Sequence, residues 1–140
     1  MTTQVVEKFT NLYRNSSELT DEAIAEVYAP EIVFSDPIHR IEGIDSLRKY
    51  LGIMYSNVYS CRFEYHDQLV LDHKASIKWK MCFRHRKLAS GKEIEVRGAT
   101  FIEFTDRIFM HEDFFDVGSM IYEHVPVMGA GIRYLKRRIS

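Results

Sequence analysis

Between residues 61 and 116 the period of the hydrophobic pattern changes, and that change limits the folds open to the chain. Ile77, Trp79, Met81 and Phe83 alternate with Lys78, Lys80, Cys82 and Arg84, the period-two pattern of a strand with unlike faces. Residues 61–71, 74–88, 93–105 and 107–116 all read as strands, with Ser90-Gly91-Lys92 and Thr105-Asp106-Arg107 as turn residues between them. Long strands joined by short turns predict an antiparallel meander.

Upstream the period is helical. Val5, Val6, Phe9, Leu12 and Tyr13 fall on one helical face and predict a helix over about residues 3–14. A second, short helix carries Leu19, Ala23, Ile24, Val27 and Tyr28, with Thr20 as N-cap and Pro30 as stop. Ile32-Val33-Phe34 reads as a brief strand running into the turn Ser35-Asp36-Pro37. A third helix follows Gly43, with Asp45 as N-cap and Leu47, Tyr50, Leu51, Met54 and Val58 on one face. After Pro126, Ile132, Leu135 and Ile139 return to helical spacing. Helices first and a curved antiparallel sheet afterwards predict an α+β fold whose helices pack on the concave face, closing a cone with a ligand pocket at its mouth.

Composition narrows the function classes. The 140 residues carry 20 acids and 19 bases, so no global field draws the chain to nucleic acid. The basic end, Arg133, Lys136, Arg137 and Arg138, reads as the solvated last turns of a helix. No apolar run approaches the roughly 20 residues of a membrane span, which excludes integral membrane association. Cys61 and Cys82 make no disulfide framework, and the residues after Met1 lack a basic and an apolar leader region, so a reduced, cytoplasmic setting is expected.

The segment Tyr28-Ala29-Pro30-Glu31-Ile32-Val33-Phe34-Ser35-Asp36-Pro37, with Gly43 six residues on, resembles the NTF2-like superfamily, in particular its SnoaL-like branch. Val96-Arg97-Gly98, Asp106-Arg107-Ile108 and the run from His111 to Asp116 match the same pattern. The resemblance spans nearly the whole chain and implies one domain over residues 1–140, an NTF2-like (cystatin-like) α+β barrel. Its activities range from ketosteroid isomerases and polyketide cyclases to epoxide hydrolases, dehydratases and binding modules, since one fold hosts many sites. Similarity to ketosteroid isomerases implies that Asp36 stands where their general base does. Their oxyanion-hole tyrosine and protonated aspartate fall nearest Phe9 and the stretch Gly98 to Thr100, which supply neither group.

Asp36 has two readings: a base raised toward neutrality by an apolar rim, or an Asx turn whose carboxylate accepts backbone N–H groups. His39, three residues on, is placed to share a proton with it or to line the pocket. On the last strand Phe109, His111, Asp113 and Phe115 share one parity, which puts His111 and Asp113 about 7 Å apart at Cα. Their functional reading is joint proton handling in the pocket, and their structural one is a buried pair that fixes register. Tyr13, one turn from Phe9, and Trp79, the only Trp, are expected to contact substrate with Phe9, Phe109 and Phe115. His39, His111 and Asp113 are of metal-ligating type, but no spacing demands a metal, and no phosphate loop implies a nucleotide.

The expectation is therefore a cofactor-independent acid/base enzyme, isomerase-, cyclase- or hydratase-like, acting on an apolar carbonyl- or hydroxyl-bearing small molecule. Asp36, His111 and Asp113 are its candidate catalytic residues; the alternative is a non-catalytic ligand-binding or protein-interaction module. The resemblance also implies a homodimer through the sheet face, with salt bridges to Glu95 and Glu103.

Overall fold

The computed structural model describes residues 2–14, 19–120 and 126–139. Helix α1 spans Thr2–Arg14 and α2 spans Asp21–Val27, where the Thr20 side chain caps α2 by accepting the Ala23 N–H at 3.1 Å. Tyr28 is not helical. The chain passes straight from α2 into strand β1, Tyr28–Ser35, and Pro30 lies inside this strand, in a stretch where its pairing with the last strand slips. Proline has no N–H for a ladder, so an irregularity of this kind is where a strand tolerates it.

A tight loop, Asp36 to His39, returns the chain as the short strand β2, Arg40–Glu42, which the sequence pattern did not reveal. Helix α3, Ile44–Tyr55, starts at Gly43, whose φ of +89° favours glycine, so the N-cap is Gly43 and Asp45 lies in the first turn. Val58, expected on the face of α3, opens strand β3, Val58–Leu71. Then come β4, Lys74–His85, β5, Glu93–Phe104, and β6, Ile108–Phe115. A 3₁₀ turn at Ala89–Gly91 joins β4 to β5 and ends β4 sooner than its hydrophobic pattern does. Two further helices, α4 (Val117–Met120) and α5 (Pro126–Ile139), complete the described chain.

The six strands form one sheet in the order β2-β1-β6-β5-β4-β3. The meander expected from the alternation is β3 to β6, antiparallel throughout. The pair β1/β6 is parallel, so the sheet is mixed, and with β2 and β3 at its edges it is an open curved sheet rather than a closed barrel.

Inward residues of the sheet meet α1, α2 and α3 in a core that includes Val6, Phe9, Ile24, Ile32, Leu47, Ile77, Ile102 and Phe104. A second, smaller cluster of Cys61, Trp79, Phe83, Ile94 and Val96 lies toward the other end of the strands. Tyr55, Phe63 and Tyr65 pack against both. Between the two clusters the inner face carries polar side chains, and there the cavity opens.

Candidate active site

Register positions the polar groups. Thr100 pairs directly with Asp113 across β5 and β6, so their side chains rise together from the inner face. His111, two residues before Asp113, shares that face and is almost wholly buried. Its Nε2 lies 2.7 Å from Asp113 Oδ1, and its Nδ1 lies 2.8 Å from the Tyr28 hydroxyl. Tyr28 in turn lies 2.7 Å from the Tyr13 hydroxyl. From the other side Thr100 donates to Asp113 Oδ1 at 2.5 Å, and the Trp79 indole N–H donates to Thr100 at 2.8 Å.

The order of donors follows from these contacts. A carboxylate accepts only, so His111 carries its proton on Nε2 and accepts the Tyr28 O–H at Nδ1; Tyr28 then accepts from Tyr13. Every donor in the chain points toward Asp113. Burial, then Tyr13 and Asp113, push the Tyr28 phenol up, and burial does the same for Tyr13 against the lowering effect of its bond to Tyr28. Both phenols remain protonated donors near neutral pH.

Trp79 reaches Thr100 because Gly98 faces it across the ladder. A Cβ at Gly98 would collide with the Trp79 ring and lie 2.6 Å from the Phe114 carbonyl oxygen. Glycine is required here for close approach, not for its φ.

Asp36 stands on the opposite wall. Its Oδ1 accepts the backbone N–H groups of Ile38 at 2.8 Å and His39 at 2.7 Å, while its own N–H donates to the His39 carbonyl at 2.9 Å. Its Oδ2 accepts the Tyr50 hydroxyl from α3. The Asx turn thus builds the β1–β2 hairpin and also fixes Tyr50. Burial, then the bond to Asp36 and its charge, push the Tyr50 phenol up, so that it stays protonated.

The two walls enclose adjoining cavities. A cavity of about 90 Å³ is lined by Asp36 and Tyr50 on one side, Asp113 and Trp79 on the other, and apolar groups including Phe34 and Phe115. It shares Tyr13, Phe63, Trp79 and Asp113 with a deeper cell of about 20 Å³ that also touches His111, Thr100 and Tyr65. That cell has room for one water. Tyr65 presents a buried hydroxyl there that has no hydrogen-bond partner among the described residues. Asp113 Oδ2 likewise carries none, with the side chain 18 % exposed.

Comparison with known proteins places this geometry. A family model described as the SnoaL-like domain matches residues 6–111. The chain belongs to the SnoaL-like domain family. Solved structures share its fold at low identity. A proposed SnoaL-like polyketide cyclase from Jannaschia sp. CCS1 superposes with TM-score 0.73 at 14 % identity, covering 85 % of this chain and 90 % of that one. A protein with a ketosteroid isomerase-like fold from Catenulispora acidiphila, in complex with trimethylamine, gives 0.73 at 11 %, with 92 % and 95 % covered. An LEH-like epoxide hydrolase from M. tuberculosis gives 0.68 at 18 %, with 84 % and 79 % covered. No curated protein matches the chain in sequence.

Within this SnoaL-like fold Phe9, Tyr13, Trp79, Phe115, Asp36, His111 and Asp113 all line or border the adjoining cavities. Phe109 does not. Glu103 pairs with Met110 and Phe104 with Ile108, leaving Phe109 as an extra residue in a β-bulge, 37 % exposed on the outside. The bulge resets the parity, so alternation counted from His111 fails one step upstream. His39 also lies off the cavity wall. Its side chain is 45 % exposed, packs on the Tyr50 ring at 4.9 Å and approaches Asp36 Oδ1 at 3.5 Å. Both ring nitrogens of His111 are engaged, and no group of three His, Cys, Asp or Glu suited to a metal occurs among the described residues.

Tyr28, Tyr50, Thr100 and Tyr65 complete the candidate site and are not singled out by the sequence. Thr100 had a usable signal. It is the one hydroxyl in the inward stripe Ile94, Val96, Gly98, Thr100, Ile102, Phe104, and a polar residue on an otherwise apolar face needs a partner.

Proposed function

We propose that the protein is a cofactor-independent acid/base enzyme acting on an apolar small molecule that bears a carbonyl or hydroxyl group, with Asp113 as the base. One observation carries this reading: a carboxylate anchored through Oδ1 by His111 and Thr100, with Oδ2 unpartnered among the described residues beside a largely apolar cavity. Such a group is held in place yet has a lone pair free for a substrate proton.

In this reading a carbon acid next to a carbonyl gives its proton to Asp113 Oδ2, and the bond electrons move to the carbonyl oxygen. A substrate oxygen in the cavity competes with Asp36 for the Tyr50 proton, so Asp36 acts through Tyr50. The Tyr13–Tyr28–His111 chain positions Asp113 and keeps donors on the oxygen that does not react. Return of the proton to a different carbon is isomerisation; attack of the enolate carbon on a second carbonyl of the same molecule, whose oxygen then takes the proton, is cyclisation.

The test needs no natural substrate. Methyl ketones in D₂O exchange their α-hydrogens when a base removes them, and proton NMR follows the loss of signal. The wild-type protein should accelerate exchange over buffer, and Asp113→Asn should abolish most of the acceleration. Exchange no faster than buffer across a panel of ketones would overturn the reading in favour of a binding module.

A homodimer through the sheet face is the proposed assembly, with a different chemistry from salt bridges to Glu95 and Glu103. Glu95 already lies near Lys80 and Arg97, and Glu103 near Lys74, within the chain. The outer face instead offers Leu69, Leu71, Phe101, Met110 and Phe114, all exposed, with the Phe101 and Phe114 rings in edge contact at 5.7 Å. Sedimentation that finds only monomer at high concentration removes the dimer.

A further inference from the structure

Next to the cavity that holds Asp113 lies a second one. Met54, Tyr55 and Met81 wall both that cavity and an outer chamber of about 230 Å³. The remaining wall of the chamber includes Val58, Cys61, Phe83 and Leu88. Its chemistry differs from that of the inner end. The Cys61 thiol is pushed up to about 11 by burial and is hydrogen-bonded with Tyr55, whose phenol burial also pushes up, so the wall stays uncharged at neutral pH.

The chamber has one polar group left over. His85 lies on its lining, and its Nδ1 accepts the Lys87 backbone N–H at 3.0 Å. The ring proton is therefore on Nε2, which has no partner among the described residues. Burial and then Lys87 hold His85 below its ordinary value, so it is a neutral donor at pH 7. A cavity of roughly 150 Å³ takes up benzene, so the larger chamber has room for an apolar body of about eight to ten carbons.

We propose that the site takes an elongated substrate: a carbonyl or hydroxyl head at Asp113, an apolar chain filling the outer chamber, and an uncharged hydrogen-bond acceptor at its far end that meets His85. This rests on the acid/base reading for the head alone. Polar groups in two adjoining apolar cavities select for length as well as for polarity, since a short molecule fills only the inner cavity and a long hydrocarbon leaves the His85 donor unpaired.

Binding of 2-alkanones from butanone to 2-undecanone tests this, read by quenching of Trp79 and by calorimetry. Affinity should rise about fourfold for each added CH₂ while the chamber fills, then level off. Val58→Phe, which narrows the chamber, should remove the gain for the long ketones and leave butanone within twofold. Methyl 9-oxodecanoate, with an ester oxygen at the far end, should bind about fivefold tighter than a 2-alkanone of equal length, and His85→Phe should erase that preference. A flat series, including one in which no ketone binds, or a Val58→Phe variant that weakens short and long ketones equally, overturns the proposal. Its failure is separable from that of the acid/base reading. Length-dependent binding without α-exchange leaves the chamber standing, and exchange with a flat series does the reverse.

Discussion

Asp113 and Asp36 face one cavity from opposite walls in different surroundings. Asp113 stands on a central strand, where His111 of the same strand and Thr100 of β5 converge on one of its oxygens, and the second has no partner among the described residues. Asp36 stands in a hairpin loop with both oxygens engaged, one by two backbone N–H groups and the other by Tyr50. A base must have a lone pair that substrate can reach. The contrast teaches that a carboxylate in the position implied by family resemblance can serve as the scaffold while a second carboxylate carries the open lone pair.

The largest expected effect sets these two against each other. Removing a positioned general base typically costs 10²–10⁴-fold in rate, so Asp113→Asn should lower ketone α-exchange by about that factor with little change in urea midpoint. Asp36→Ala strips the acceptor from two N–H groups and from Tyr50; it should cost about 1–2 kcal/mol of stability and lower exchange less than about tenfold. NMR exchange and urea titration on the same preparations read both. The reverse order of rates would make Asp36 the base.

The next effect concerns the phenols of both walls. Tyr13, Tyr28, Tyr50, Tyr55 and Tyr65 are all pushed up, chiefly by burial, as is the Cys61 thiol. In the unfolded chain phenols ionise near 10 and thiols near 8.5. Above those values the unfolded state has released protons that the native state still holds, so stability is complete below about pH 8 and falls as pH rises. Cys61 loses its share between its unfolded value and about 11, and the phenols act above about 10. Urea midpoints measured from pH 7 to 11 should fall steadily from about pH 9, by several kcal/mol in total. A flat profile to pH 11 would mean that these hydroxyls are solvated and that the cavity is open to water.

Much of the architecture was legible beforehand because it depends on period. The strands β3 to β6 follow alternation along one chain, and α1 follows a five-residue apolar face. What escaped depends on contacts between distant segments. The parallel pairing of β1 with β6 brings Tyr28 beside His111, 83 residues apart, and no local pattern encodes that. Phe109 departs from the pattern for the opposite reason: alternation is a strictly local rule, and it breaks at a bulge that only the neighbouring strand reveals. The meeting of Asp113 with His111 is legible because both lie on one strand, two residues apart. Tyr50 looked like one more member of the apolar face of α3, and its hydroxyl acquires meaning only when the Asp36 hairpin folds against it.

The smallest expected effect separates two tyrosines on the inner wall. Tyr28 donates to His111 and accepts from Tyr13, so Tyr28→Phe leaves a buried imidazole acceptor unmet and should cost about 1–3 kcal/mol. Tyr65 borders the same groups, yet its hydroxyl bonds to no described residue and faces the water-sized cell. Tyr65→Phe removes a group that makes no bond within the protein, so stability should change by no more than about 0.5 kcal/mol in either direction. Urea unfolding of the two variants under one condition measures the difference. Equal losses would mean that the Tyr65 hydroxyl is bound as firmly as Tyr28, through a water held against Asp113, and the cell would then belong to the same ordered network as the strand wall.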